Sequence, residues 1–185
     1  MKAIQKTLLI AALALCTTNV FADNPSEAQV NFHGSITIPP CTIHIRPATV
    51  NLGKVPIADL IKHDPAAGDW TPFSADLTCP AGIKKLSYEI DPSGGSKAYN
   101  ADFGVLTSSN LDGASGVGVR LIDANGANYD SAPLGKPVQI NNYDPNKDGQ
   151  PVKLNFDALM YRTGDPRSVK GGNVEAHATL TLIYE

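Results

Sequence analysis

"AHATLTLIYE", residues 176–185, alternates without a break. Ala176, Ala178, Leu180, Leu182 and Tyr184 fall on one side of an extended chain and His177, Thr179, Thr181, Ile183 and Glu185 on the other. That period of two is the pattern of a strand with one apolar face. Residues near a chain end order only when something ties them down, so a closing strand raises two questions: what holds it, and what covers its apolar side.

The pattern recurs back along the chain. "VKLNFDALMY" (152–161), "KPVQI" (136–140), "GVGVRLIDANG" (116–126), "KKLSYEID" (84–91), "FSADLTC" (73–79) and "ATVNLGKV" (48–55) read as strands, and "AQVNFHGSITI" (28–38) alternates through Ala28, Val30, Phe32, Ile36 and Ile38. Turn residues in "DPSGGS", "LDGASG", "DANGAN" and "DPNKDG" separate the runs. Only "PIADLIKH" (56–63) has helical character, enough for a turn or two. Short strands at near-regular spacing predict an all-β sandwich of immunoglobulin type, in one domain without a linker or internal repeat.

The first residues read as an export signal rather than as part of the fold. Lys2 and Lys6 precede an apolar run from Leu8 to Leu15, and "NVFA" places Val20 and Ala22 where a signal peptidase reads, so residues 1–22 are expected to be removed. The run is too short to span a bilayer, and no later one is long enough, so the exported chain is expected to be soluble, with no membrane insertion. Cleavage leaves 163 residues, enough for one well-packed domain. It also leaves 13 basic against 18 acidic residues, a net charge of −5. Without a basic cluster or stripe, the sequence argues against nucleic acid and against polybasic membrane binding.

Two cysteines, Cys41 and Cys79, remain after export. In an oxidising compartment they are expected to pair, closing a loop worth about 4 kcal/mol in the chain-entropy model. Neither has a second cysteine within two to four residues, so a structural zinc site is not indicated.

Several patterns imitate chemistry and fall short of it. Asp144, Asn146, Asp148 and Gly149 match the first half of a calcium loop, yet Asn155 stands where the bidentate Glu is needed and the flanks read as strands. Tight connections use the same residues. His33, His44, His63 and His177 lack metal-binding spacing and are expected to face solvent beside neighbouring side chains. "GASGVG" (113–118) has neither the nucleophile elbow nor a following helix and reads as a flexible hairpin. Trp70 and Phe73 are expected in the core beside the disulfide. No catalytic residue, metal site or cofactor is indicated.

Three features together resemble the pilin subunits of chaperone-usher pili, the type 1 and P pilus group. "VNFHGSITIPPCTI" (30–43) carries an alternating arm through a glycine into a cysteine-bearing strand. Cys79 ends "FSADLTC", and Gly172 and Tyr184 stand at the family's glycine fourteen residues from the C-terminus and its penultimate aromatic. The resemblance covers the whole exported chain.

It implies an immunoglobulin-like sandwich lacking its last strand and completed in trans by a donor strand. Residues 23–34 would be the donor arm, with Ala28, Val30 and Phe32 entering a neighbour's groove and Gly34 ending the inserted stretch; residues 35–185 would be the pilin domain. Gly172, Ala178, Leu180, Leu182, Tyr184 and Glu185 would form the groove-edge strand, first paired by a periplasmic pilus chaperone that holds the terminal carboxylate of Glu185. The implied partners are that chaperone, an outer-membrane usher, neighbouring pilin subunits and the tip adhesin. "IPPCTI" and "TLTLIY" look closest to a tip adaptor on the cell-surface pilus. Alternatives are a major rod pilin or, in a different class, a self-contained secreted carbohydrate-binding module.

Overall fold

A computed structural model of the chain describes residues 33–35, 37, 40–62, 66–126 and 130–185. The export signal and the arm residues Ala28, Val30 and Phe32 lie outside the described residues. Gly34 is exposed and outside any strand.

Residues Thr37–Glu185 form one unit, with ten strands among the described residues. They are β1 (Thr42–Arg46), β2 (Ala66–Cys79), β3 (Leu86–Ser93), β4 (Ala98–Asn100), β5 (Val105–Thr107), β6 (Val117–Asp123), β7 (Asp130–Ser131), β8 (Val138–Gln139), β9 (Gln150–Arg162) and β10 (His177–Tyr184). Among the described residues there is one α-helix, α1 (Ile57–Lys62), which buries Leu60, and one short 3-10 turn at Pro166–Ser168. One sheet runs β1-β2-β9-β6-β5-β4 with β7 beside β6, the other β10-β3-β8, and the strand pairs are antiparallel.

The two sheets face each other across a core that alternation produces. On β9, Val152, Leu154 and Phe156 are buried while Lys153 and Asn155 are exposed; across from them β3 buries Leu86, Tyr88 and Ile90. Phe156 ties the layers together. Its ring stacks on Phe73 at 5.2 Å between centroids and meets Tyr88 edge-on at 5.4 Å. Each such apolar side chain stabilises the fold by about 1.5–3 kcal/mol through burial, and aromatic geometry adds about 1 kcal/mol.

The Tyr88 hydroxyl donates to Asp123 Oδ2 at the edge of this core. Burial first, and the Asp123 carboxylate second, push the phenol well above tyrosine's ordinary value. The folded state therefore keeps a proton that the unfolded chain releases near pH 10, so this contribution is whole below about pH 10 and declines as the pH rises beyond it. The unfolding free energy from urea titration should fall between pH 9.5 and 11 by on the order of 1 kcal/mol more in the natural chain than in Tyr88→Phe. Equal slopes would refute the assignment.

The structure corrects three expectations. Residues 48–55 alternate but form no strand, because β1 ends at Arg46 and, among the described residues, no neighbouring strand supplies a ladder beyond it. Trp70 is 49% exposed rather than in the core; the β2–β9 register shifts between Ala67 and Thr71, and Trp70 sits on that irregularity. "GASGVG" is not loose: Ala114 N donates to Asn173 O at 3.0 Å, and Ser115 exchanges main-chain bonds with Lys170. Phe73 packs partly buried against the core, as expected.

Candidate functional site: an open groove

Each sheet ends on a strand with one free side, and the two free sides flank the same opening. β10 pairs with β3 from His177↔Ser93 to Tyr184↔Leu86 and, among the described residues, with no other strand. β1 is the terminal strand of the other sheet, and residues 48–53 continue from it. Val50 and Leu52 from that continuation, and Val174, Ala176 and Leu180 from the opposite wall, pack partly buried against the core.

Between the walls lies a cavity of about 630 Å³ floored by core side chains of both sheets, among them Phe73, Ile90, Leu106, Leu121 and Ala158. Gly53, Met160 and Val174 line it and also a second cavity of about 530 Å³, which continues toward α1 past Leu60, Val117 and Val169. The result is an extended apolar cleft beside an unpaired backbone edge. Left uncovered, such an edge templates association with another chain.

Ala178 and Leu180 line the first cavity. Leu182 packs partly buried against the core, and Tyr184 is 38% exposed. The question of what holds the closing strand has a local answer as well as the β3 ladder. The main-chain oxygen of Glu185 accepts from Lys84 N at 2.7 Å and Lys85 N at 3.3 Å, and Glu185 N donates to Lys85 O at 3.1 Å. The Lys85 Nζ–Glu185 Oε2 pair, 3.6 Å apart and mostly exposed, adds little.

Gly172 lines the second cavity. A Cβ there would lie 2.5 Å from Ala114 N and 2.6 Å from the Gly113 carbonyl carbon, so the two backbones touch only because position 172 has no side chain. At the rim, His177 Nε2 is 3.3 Å from Glu175 Oε1, and His177 N donates to Ser96 Oγ at 3.0 Å.

Cys41 and Cys79 form a disulfide with Cα atoms 4.3 Å apart, joining the start of β1 to the end of β2. The calcium-like stretch serves as a turn. Asp144 Oδ1 accepts from Asn146 N at 3.0 Å, which holds its carboxyl below the usual carboxylate range, and Asp148 Oδ1 accepts from Ala81 N at 3.2 Å. These are backbone-capping roles.

Residues 48–53, which the sequence pattern reads as a laddered strand, are instead an unladdered wall of the site. Their signal was present: Val50 and Leu52 alternate after a proline, which fits a chain that is extended but unladdered.

A family model described as "Fimbrial protein" matches residues 30–185. The fimbrial-like protein YgiL of Escherichia coli (strain K12) is 30% identical over 206 residues, covering 100% of both chains. Among solved structures, the P pilus rod subunit PapA aligns with a TM-score of 0.55 at 14% identity, over 85% of this chain and 100% of that one. The CupB6 tip adhesin from Pseudomonas aeruginosa aligns with a TM-score of 0.54 at 20% identity; 71% of this chain is covered, but only 35% of the adhesin. With the open sandwich and its disulfide, these matches establish that the chain belongs to the fimbrial protein family, as a non-enzymatic subunit of chaperone-usher pili exported by way of the periplasm to the cell surface.

Proposed function

We propose that the groove receives a strand from another molecule, and that this exchange is how the subunit enters the fibre. The observation that carries the reading is the cleft itself: core side chains of both sheets form its floor, and the free sides of β10 and residues 48–53 form its walls. A periplasmic chaperone lends the first strand, along Ala178, Leu180, Leu182 and Tyr184, and holds the end of the chain at Glu185. Gly172 stands where the wall turns toward the second cavity.

At the outer-membrane usher a neighbouring subunit's arm replaces the lent strand, a form of β-strand addition. This chain's own arm, residues 23–34 after removal of residues 1–22, enters the next groove with Ala28, Val30 and Phe32 inward and Gly34 at its end. Each buried Val or Phe contributes about 1.5–3 kcal/mol, and each new main-chain hydrogen bond about 1 kcal/mol. Tighter packing of the final occupant drives the exchange without a nucleotide. "IPPCTI" and "TLTLIY" support placing the subunit as a tip adaptor beside the adhesin.

Deleting residues 23–33 tests the exchange. The shortened subunit should still be recovered with a co-expressed periplasmic chaperone and should accept arm peptides, yet native mass spectrometry should detect no insertion into a neighbour. A shortened subunit that is stable, monomeric and closed without any added strand would end the proposal. Quantifying subunits in sheared pili tests the position, since an adaptor occurs about once per fibre and a rod subunit many times.

A further inference from the structure

Contact between β6 and β9 does not stop at their last ladder pair, Asp123↔Phe156. Ala124 N donates to Asn155 O at 3.0 Å, and Asn155 N in return donates to the side-chain carbonyl of Asn125, Oδ1, at 2.7 Å, which stands in for a main-chain acceptor. The other end of the Asn125 amide is held as well. Its Nδ2 donates to Asp123 Oδ1 at 2.7 Å, beside a bond from Asn125 N to the same oxygen at 2.8 Å. Asp123 Oδ2 accepts from the hydroxyl of buried Tyr88, so exposed Asn125 is one end of a polar chain that reaches the core.

Gly126 follows, and together they are the chain's one Asn-Gly pair. That dipeptide has a chemistry of its own, because a residue without a Cβ neither shields its nitrogen nor restricts the backbone around it. Once the Gly126 N–H gives its proton to hydroxide, the nitrogen attacks Asn125 Cγ. The Cγ–Nδ2 bond breaks, ammonia leaves, and water opens the resulting succinimide at either carbonyl to give aspartate or isoaspartate. The fold opposes the first step. With Nδ2 and the Asn125 N–H converging on one oxygen, the amide is drawn back along the chain toward residue 123 rather than forward over the Gly126 nitrogen. Attack requires the bonds at both ends of the amide to break.

We propose that Asn125 is a deamidation site that the fold holds closed through Asp123 and Asn155, and that its product is a weakened subunit. Deamidation replaces the Nδ2 donor by a carboxylate oxygen set against Asp123 Oδ1, and two carboxylates at hydrogen-bond distance repel. Asp123 is also the acceptor for Tyr88, so the disturbance passes to the contact between the two sheets. Water is the sole co-reactant and the ammonia is lost, so a long-lived fibre accumulates the change, whatever fills the groove.

Peptide mapping by mass spectrometry follows Asn125 in the exported full-length chain, purified with a periplasmic chaperone and kept in mildly alkaline buffer. The folded chain should deamidate at least about tenfold more slowly than the same chain unfolded in urea. Asp123→Ala should speed the reaction in the folded chain, whereas Tyr88→Phe, which leaves Asp123 Oδ1 in place, should not. Asn125→Asp, the product made directly, should lower the urea midpoint at neutral pH, and the deficit should shrink as the pH falls through the carboxyl range, about pH 4. The deficit of Asn125→Ala, a lost hydrogen bond without added charge, should not shrink in that way. If Asp123→Ala fails to fold, the folded-to-unfolded ratio and the pH dependence still decide. Equal rates in the folded and unfolded chains, or an Asn125→Asp midpoint that matches the natural chain at neutral pH, would overturn the proposal.

Discussion

A chain carrying Cys41→Ala and Cys79→Ala should lose about 4 kcal/mol of stability, because the bridge closes a separation of 38 residues and removes that freedom from the unfolded state. Single domains are stable by only about 5–15 kcal/mol, so the loss is a large fraction of the whole. Its position sharpens the effect. Among the described residues β1 is the edge strand of its sheet, held by β2 through Thr42↔Thr78 to Arg46↔Ser74, and the groove wall at residues 48–53 continues directly from it. The urea midpoint of the strand-filled subunit reads the stability, and yield with the chaperone reads the consequence for assembly. An unchanged midpoint would show that the β1–β2 ladder suffices without the bridge.

Gly172→Ala is expected to cost about 2–4 kcal/mol, from overpacking and the main-chain hydrogen bonds it disturbs. The new methyl would overlap the Gly113–Ala114 backbone, which cannot rotate away as a side chain can. Separating the two segments threatens the Ala114–Asn173 bond and the Ser115–Lys170 pair, and Ala114, Lys170 and Asn173 line the second cavity. Gly149→Ala is the control. Position 149 has φ +64 with open space around it, so alanine there meets only the conformational cost, on the order of 1 kcal/mol. Thermal unfolding of both should separate contact from conformation, and a Gly172→Ala chain no less stable than Gly149→Ala would refute the close-approach account.

Alternation made much of the sandwich legible, because period-two burial is a local property. "LNFDALMY" lies within β9, "KKLSYEID" gives β3 and the closing stretch gives β10. Two kinds of element escaped. β4, β5 and β7 are two or three residues long, too short to show a period, and their pairing depends on neighbours distant in sequence. Residues 48–55 show the period but not the ladder, since hydrogen bonding requires a neighbouring strand and the chain itself gives no sign that the place beside them is vacant. Trp70 was misplaced for a related reason: a register irregularity redirects side chains and leaves no mark in hydrophobic pattern. Gly172 could be located from the resemblance, but its physical reason, contact with Gly113 and Ala114, appears only when segments nearly sixty positions apart in sequence are brought together.

The pairing of β10 with β3 spans roughly ninety positions along the chain, the kind of non-local closure that slows folding. During secretion the early part of the polypeptide reaches the far side of the inner membrane first. β3 must therefore wait, one flank bare, until most of the remaining sequence has been translocated, and the second sheet is assembled only then. Productive folding is thus timed by delivery of the chain, and premature aggregation of β3 competes with the arrival of its partner.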